Sequence, residues 1–93
     1  MDHSSKDAGT IAALMKRFQT YRLPRMQRMH EKVQAGELLS DEDIAFLKRV
    51  QADSKNNYQL VKRNPSYESL VSKSLGLYTE IIEQGLENEK NRT

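Results

Sequence analysis

The stretch that decides the fold is residues 40–90, SDEDIAFLKRVQADSKNNYQLVKRNPSYESLVSKSLGLYTEIIEQGLENEK. It opens with a helix start. Ser40 can cap the first turn by accepting from the N–H three residues on, and Asp43 stands where it can reach back to the cap. Asp41, Glu42 and Asp43 also favour the positive end of the helix dipole. Ile44, Leu47, Val50, Tyr58 and Val61 then recur at threes, fours and their multiples, which puts them on one helix face.

Asn64-Pro65 ends that helix and begins another. The residue before a proline is driven out of the α region, so Asn64 cannot continue the first helix. Asn64 is also a suitable N-cap, and Pro65 suits the first position of a new helix. The second stripe is Tyr67, Leu70, Val71, Leu77, Tyr78, Ile81, Ile82 and Leu86. Glu68, Lys73, Glu80, Glu83 and Glu87 lie mostly on its other side. So short a connection predicts an antiparallel hairpin whose paired residue numbers add to about 129. Tyr58 then faces Val71, Val50 faces Tyr78, Leu47 faces Ile81, and Ile44 faces Gly85.

That register sets Ser54 against Ser74, in a seam where Ala52 is the one apolar residue between Gln51 and Asn57. Two arrangements fit this small, polar layer. The helices can approach closely, each hydroxyl bonding to its own helix. Alternatively, the layer is a gap that a ligand, water or a partner side chain fills.

Outward from the hairpin, the chain adds two shorter helices. Residues 1–6 are expected to be a disordered tail, with Asp7 capping a helix over about 8–22 that carries Ile11, Leu14, Met15, Phe18 and Tyr21 as a stripe. Leu23-Pro24 interrupts it, either as a loop or as a kink in one continuous helix. A second helix, about 24–35, presents Met26, Met29 and Val33, and Gly36 follows as its C′ residue. Leu39 precedes the Ser40 cap as a staple residue facing Ile44. The expected fold is therefore all-α: a small helical bundle, two short N-terminal helices packed on a long helical hairpin of about 41–63 and 65–89. It forms one domain over 7–90, with a frayed end from Asn88 that leaves 91–93 outside it.

Composition narrows the function. Ninety-three residues, 37% hydrophobic and 30% charged, make one domain with a modest core. Cysteine is absent, which removes disulfides, thiol catalysis and Cys-ligated zinc. No run approaches the ~18 apolar residues of a membrane span, and no signal peptide is visible. The expectation is a soluble cytoplasmic protein. His3 and His30 stand in no Glu-x-x-His or His-x-x-x-His pattern, so no metal is expected, and His30 reads as a rim residue. Glu80, Glu83 and Glu87 read as a solvated ridge, and the four glycines are scattered singly. The pattern predicts no cofactor and no enzyme activity.

Charge is uneven beneath the net +2. Residues 1–36 hold seven Lys and Arg against three acids, and residues 37–93 hold eight against ten. Arg22, Arg25, Arg28 and Lys32 are the candidate contacts for a protein partner or for nucleic-acid phosphates. A helix–turn–helix reading of 24–36 and 40–50 would point Asp41, Glu42 and Asp43 at DNA, which argues against it. The other role for these cations is to flank the Met-rich face and reach the acids of the hairpin. Met15, Met26 and Met29 would offer a partner an adaptable apolar surface. The favoured reading is a non-enzymatic protein–protein interaction or adaptor module, homodimerisation included. The alternative is a nucleic-acid-binding accessory protein using the basic face of the first two helices.

Leu23-Pro24-Arg25, the turn Gly36-Glu37-Leu38-Leu39-Ser40-Asp41-Glu42-Asp43-Ile44 and the closing Leu77-Tyr78-Thr79-Glu80-Ile81 resemble small, uncharacterised bacterial all-helical proteins. The resemblance implies a small cytosolic helical protein and carries over no active-site residues.

Overall fold

A computed structural model describes the chain over residues 3–92, with side chains described from Ala8 onward. Among the described residues the fold is all-α and holds no strand. The elements are α1 (His3–Arg17), a π turn (Phe18–Arg22), α2 (Leu23–Gln34), α3 (Asp41–Asn56), α4 (Tyr58–Lys62), a 3₁₀ turn (Pro65–Tyr67) and α5 (Glu68–Asn91). Helix α1 reaches back to His3, upstream of the cap expected at Asp7. Residues 1, 2 and 93, part of the expected tail and end, lie outside the described residues.

The two short N-terminal helices are one long helix. Leu23-Pro24 does not open a loop; the chain stays helical through the π turn. Pro24 has no N–H, and in a regular helix its ring would crowd the carbonyl four residues back. The Leu23 N–H bonds to the Phe18 carbonyl, five residues back, so the wider turn absorbs the misfit. The same widening alters the phase of the helix. Tyr21 leaves the apolar stripe and is 70% exposed, while Ile11 is buried and Leu14, Met15 and Phe18 are half-buried.

Helix α2 ends as expected, and more completely. Gly36 has φ +88°, a conformation that favours glycine. The Gly36 N–H donates to the Val33 carbonyl at 3.1 Å and the Glu37 N–H to the Lys32 carbonyl at 3.1 Å, the two bonds of a Schellman motif. The start of α3 is the predicted capping box: the Asp43 N–H donates to Ser40 Oγ at 3.1 Å, and the Ser40 N–H donates to Asp43 Oδ2 at 3.0 Å.

Beyond α3 the chain departs from the expected hairpin in three places. The helix over 41–63 breaks at Asn57, after Ser54-Lys55-Asn56, a run of mostly weak helix formers. Asn64 does not cap the next helix; its Nδ2 donates backward to the Leu60 carbonyl at 2.8 Å, closing the preceding one. Pro65–Tyr67 is a 3₁₀ turn, so α5 begins at Glu68. Helix α5 makes its most extensive backbone packing against α2 rather than against α3.

The core gathers Met26 and Met29 from α2, Phe46, Leu47 and Val50 from α3, and Ile81 from α5, with Phe18, Leu39, Leu77, Tyr78 and Ile82 at its edge. Phe46 takes the place expected for Ile44, which is 42% exposed. Gly85 faces Leu39 instead of Ile44: a Cβ at Gly85 would stand 2.8 Å from Leu39 Cδ1. Asn88, expected in a fraying end, is buried at the same end of the bundle.

The molecule measures 59 × 18 × 18 Å, and burial is uneven along it. Apart from Ile11, the buried apolar residues lie within 26–50 and at Ile81. No residue from 51 to 80 is fully buried. One end is a closed core; the other keeps apolar side chains half-covered.

Candidate functional groove

The half-covered end encloses a groove of about 900 Å³. It lies among α1 and the π turn, the end of α3 with α4, and the first half of α5. Leu14, Met15 and Phe18 line the first wall, Val50, Tyr58 and Val61 the second, and Leu70, Val71, Leu75 and Tyr78 the third. Each set has core-like composition, yet the space between the three walls stays open. Tyr58 (59% exposed) and Leu75 (51%) stand at its mouth.

Ser54 and Ser74 both line this groove. Ser54 is exposed, and half-buried Ser74 donates from Oγ to the Leu70 carbonyl at 2.8 Å. Of the two arrangements weighed for the layer, the open one matches this groove, although Ser74 also makes the backbond expected of the other. Ser74 satisfies its hydroxyl on its own helix, and the space beside it is open. The small side chains at 54 and 74 lie where the helices separate, and they add little bulk to fill the gap.

The π turn borders the same space. Phe18 and Arg22, its first and last residues, are both groove residues. Arg22 forms an ion pair with Asp53 of α3, which also lines the groove and is about half exposed. The pair ties the π turn to the opposite wall. π turns recur at functional sites because they redirect side chains that a regular helix would hold in register.

Charged groups around the groove are mainly cationic. Arg17, Lys55 and Lys62 are exposed lining residues, Glu68 is the exposed acid, and Arg22 and Asp53 engage each other. Arg17, Lys55 and Lys62 were not among the candidate contacts, because they become neighbours only when the fold brings α1 alongside α4. Spacing within a single helix carries no sign of that.

The four cations expected to act together are dispersed. Arg22 pairs with Asp53; Arg25 stacks over the Phe46 ring, its guanidinium 4.2 Å from the centroid; and Lys32 donates to Asp43 Oδ2 at 2.9 Å. Arg28 is exposed. Lys32 shapes the electrostatics of the α3 cap. Partial burial, the largest influence on Asp43, opposes ionisation, but the hydrogen bonds from Lys32 and with the Ser40 N–H and hydroxyl outweigh it, and the carboxyl titrates below its ordinary value.

His30 sits at a rim, half-buried, with Nε2 2.9 Å from Glu80 Oε2 and 3.2 Å from Gln34 Nε2. Glu80, Glu83 and Glu87 are exposed, as expected of a solvated ridge. Among the described residues, no group of three or more His, Asp or Glu could hold a metal ion, and no helix is long and apolar enough to cross a membrane. No protein-family model, curated protein or solved structure matches the chain.

Proposed function

We propose that this protein is a non-enzymatic interaction module and that the groove between α1, α4 and α5 is its binding surface. The observation that carries the reading is the mismatch between composition and closure. Three helical walls bring core-type side chains to one space, and the space stays open at about 900 Å³. Binding sites are concave, mostly apolar and of this order of volume, ~300–1,000 Å³. Among the described residues, the acids lining the groove are Asp53, paired to Arg22, and exposed Glu68.

The test compares the full chain with Leu75→Glu, which puts a charge at the groove mouth from an exposed position and leaves the core residues in place. An interaction module retains a partner or a second copy that the variant loses, read by affinity capture and by sedimentation. A wild-type chain that sediments as a monomer and retains nothing that Leu75→Glu loses would overturn the reading.

Nucleic-acid binding ranks second. Three of its four expected contacts have partners within the fold: Arg22 with Asp53, Arg25 with Phe46 and Lys32 with Asp43. It predicts salt-sensitive binding weakened by Arg28→Glu, and absence of binding at low salt removes it.

A further inference from the structure

We infer that the groove receives an acidic amphipathic helix from a partner protein. The inference rests on the groove being the binding surface and adds the chemistry of the occupant. Its first argument is geometric. Packed helices stand ~8–10 Å apart, and a bundle closes when every apolar stripe meets another. Here three stripes face one unfilled space at the end of the molecule where no residue from 51 to 80 is buried. The arrangement is one helix short of a bundle, and the missing element needs an apolar face towards the walls. Such helix-in-groove recognition reads anchor side chains three and four residues apart.

The second argument is charge. Once the Arg22–Asp53 pair is set aside, the charged residues lining the groove, among those described, are Arg17, Lys55 and Lys62 against Glu68. Arg17 stands on the α1 wall, while Lys55 and Lys62 stand on the α3–α4 wall. An entering helix passes between cations on both sides, so acids flanking its apolar stripe complement the rim and favour encounter.

A second copy of this chain fits less well. Its α2, α3 and α5 stripes are used in its own core. Away from the groove, the exposed large apolar residues among those described are Tyr21, Ile44 and Leu86, one on each of three elements, so none forms a stripe. A two-fold dimer joined groove to groove would bring like-charged rims together.

The experiment titrates the full chain with synthetic helical peptides of about 18 residues, roughly five turns, that carry Leu at helix-face spacing and a neutral fluorophore. One peptide has Glu on its polar face and the other has Lys. Fluorescence anisotropy should show saturable binding of the Glu peptide, with the Lys peptide at least ~10-fold weaker. Lys55→Glu/Lys62→Glu, both exposed positions, should weaken the Glu peptide at least ~10-fold and reduce its salt dependence, while circular dichroism stays unchanged. Leu75→Glu should weaken both peptides.

Equal binding of the two peptides would overturn the acidic partner and leave the interaction surface standing. So would a dimer that Leu75→Glu dissociates, with neither peptide bound, because the occupant is then a second copy. Binding of a fluorescent long-chain carboxylate without either peptide would overturn the helical occupant in favour of a small molecule. A monomer that binds none of these and captures no partner removes the interaction reading as well.

Discussion

Asn88 donates from Nδ2 to the Val33 carbonyl, 2.8 Å away, joining α5 to the end of α2 across 55 residues of chain. The same amide donates to the Glu37 carbonyl at 2.9 Å, and Asn88 Oδ1 accepts from Gln84 Nε2 at 2.9 Å. One buried side chain thus binds the Schellman turn from outside and has both its amide nitrogen and its carbonyl oxygen partnered. Leu39 lies against Gly85 one turn earlier on α5. The α2–α3 connection is therefore seated on α5 by a polar contact and an apolar one.

Asn88→Ala removes both donors and leaves the Glu37 carbonyl to find water. Net hydrogen-bond contributions of ~1 kcal/mol each predict a loss of about 2 kcal/mol, measured by urea denaturation. Asn88→Asp should cost more, since it sets a carboxylate against two carbonyl oxygens. A loss below ~0.5 kcal/mol for the alanine variant would show that the contact adds no net stability.

Much of this fold could be read from local sequence, and the exceptions share a cause. Ser40 with Asp43, and Gly36 after Val33, are recognisable because a cap is formed by residues within one turn of each other. Phe46 was missed because Ile44 and Leu47 already supplied an apolar face, and only tertiary packing decides which side of that face is covered. Asn88 looked like part of a polar tail because its partners lie some 50 residues away in sequence. The π turn follows from Pro24, but choosing between a loop and a widened turn depends on the packing of α2 against α5. In the groove, register placed Ser54 and Ser74 in one small, polar layer, but whether that layer packs or stays open was not legible, because it depends on how far apart the surrounding helices stand. Nor were the cations at its rim, because Arg17, Lys55 and Lys62 come from three separate helices.

The glycines of α5 should respond to alanine with opposite signs. Gly76 is exposed within the helix, and a Cβ there would meet nothing within 4 Å. Gly76→Ala should stabilise by about 0.5–1 kcal/mol through helix propensity alone. Gly85→Ala gains the same propensity but drives its Cβ to 2.8 Å from Leu39 Cδ1 and 3.2 Å from Cγ. Moving Leu39 disturbs the α2–α3 connection, and overpacking costs ~1–3 kcal/mol, so the net effect is a loss. Thermal melts of the two variants check both signs; a stabilised Gly85→Ala would mean that Leu39 yields freely.

Asp43 makes part of the stability pH-dependent. Its folded pKa lies below the ordinary aspartate value, so the folded state favours the ionised form. A group shifted in this direction contributes in full above its unfolded pKa, about 3.9, and the contribution disappears as pH falls through the lower, folded value. Asp43→Asn should therefore be less stable than the wild type at pH 7. The difference should begin to narrow below about pH 4, where the unfolded state takes up the proton first, and close once the carboxyl protonates in the folded state as well. Chemical denaturation at pH 7 and pH 3 reads the gap, and a gap of constant size would assign it to packing rather than charge.

Ser74→Leu distinguishes an open groove from a tight seam. The Ser74 hydroxyl donates to the Leu70 carbonyl of its own helix, so replacing it leaves no buried donor unpaired and Leu70 keeps its place in the helix ladder. In a closed seam the larger side chain would overpack and cost ~1–3 kcal/mol. Beside about 900 Å³ of open space it has room, and it covers the half-buried Leu70, Val71 and Tyr78. Stability should then be unchanged or higher by up to ~1 kcal/mol, at about 25 cal/mol per Å² of apolar surface covered. Affinity for the Glu peptide should fall, because the leucine occupies space the incoming helix needs. A destabilised variant that still bound the peptide normally would show that Ser74 belongs to the packed interior and that recognition lies elsewhere on the molecule.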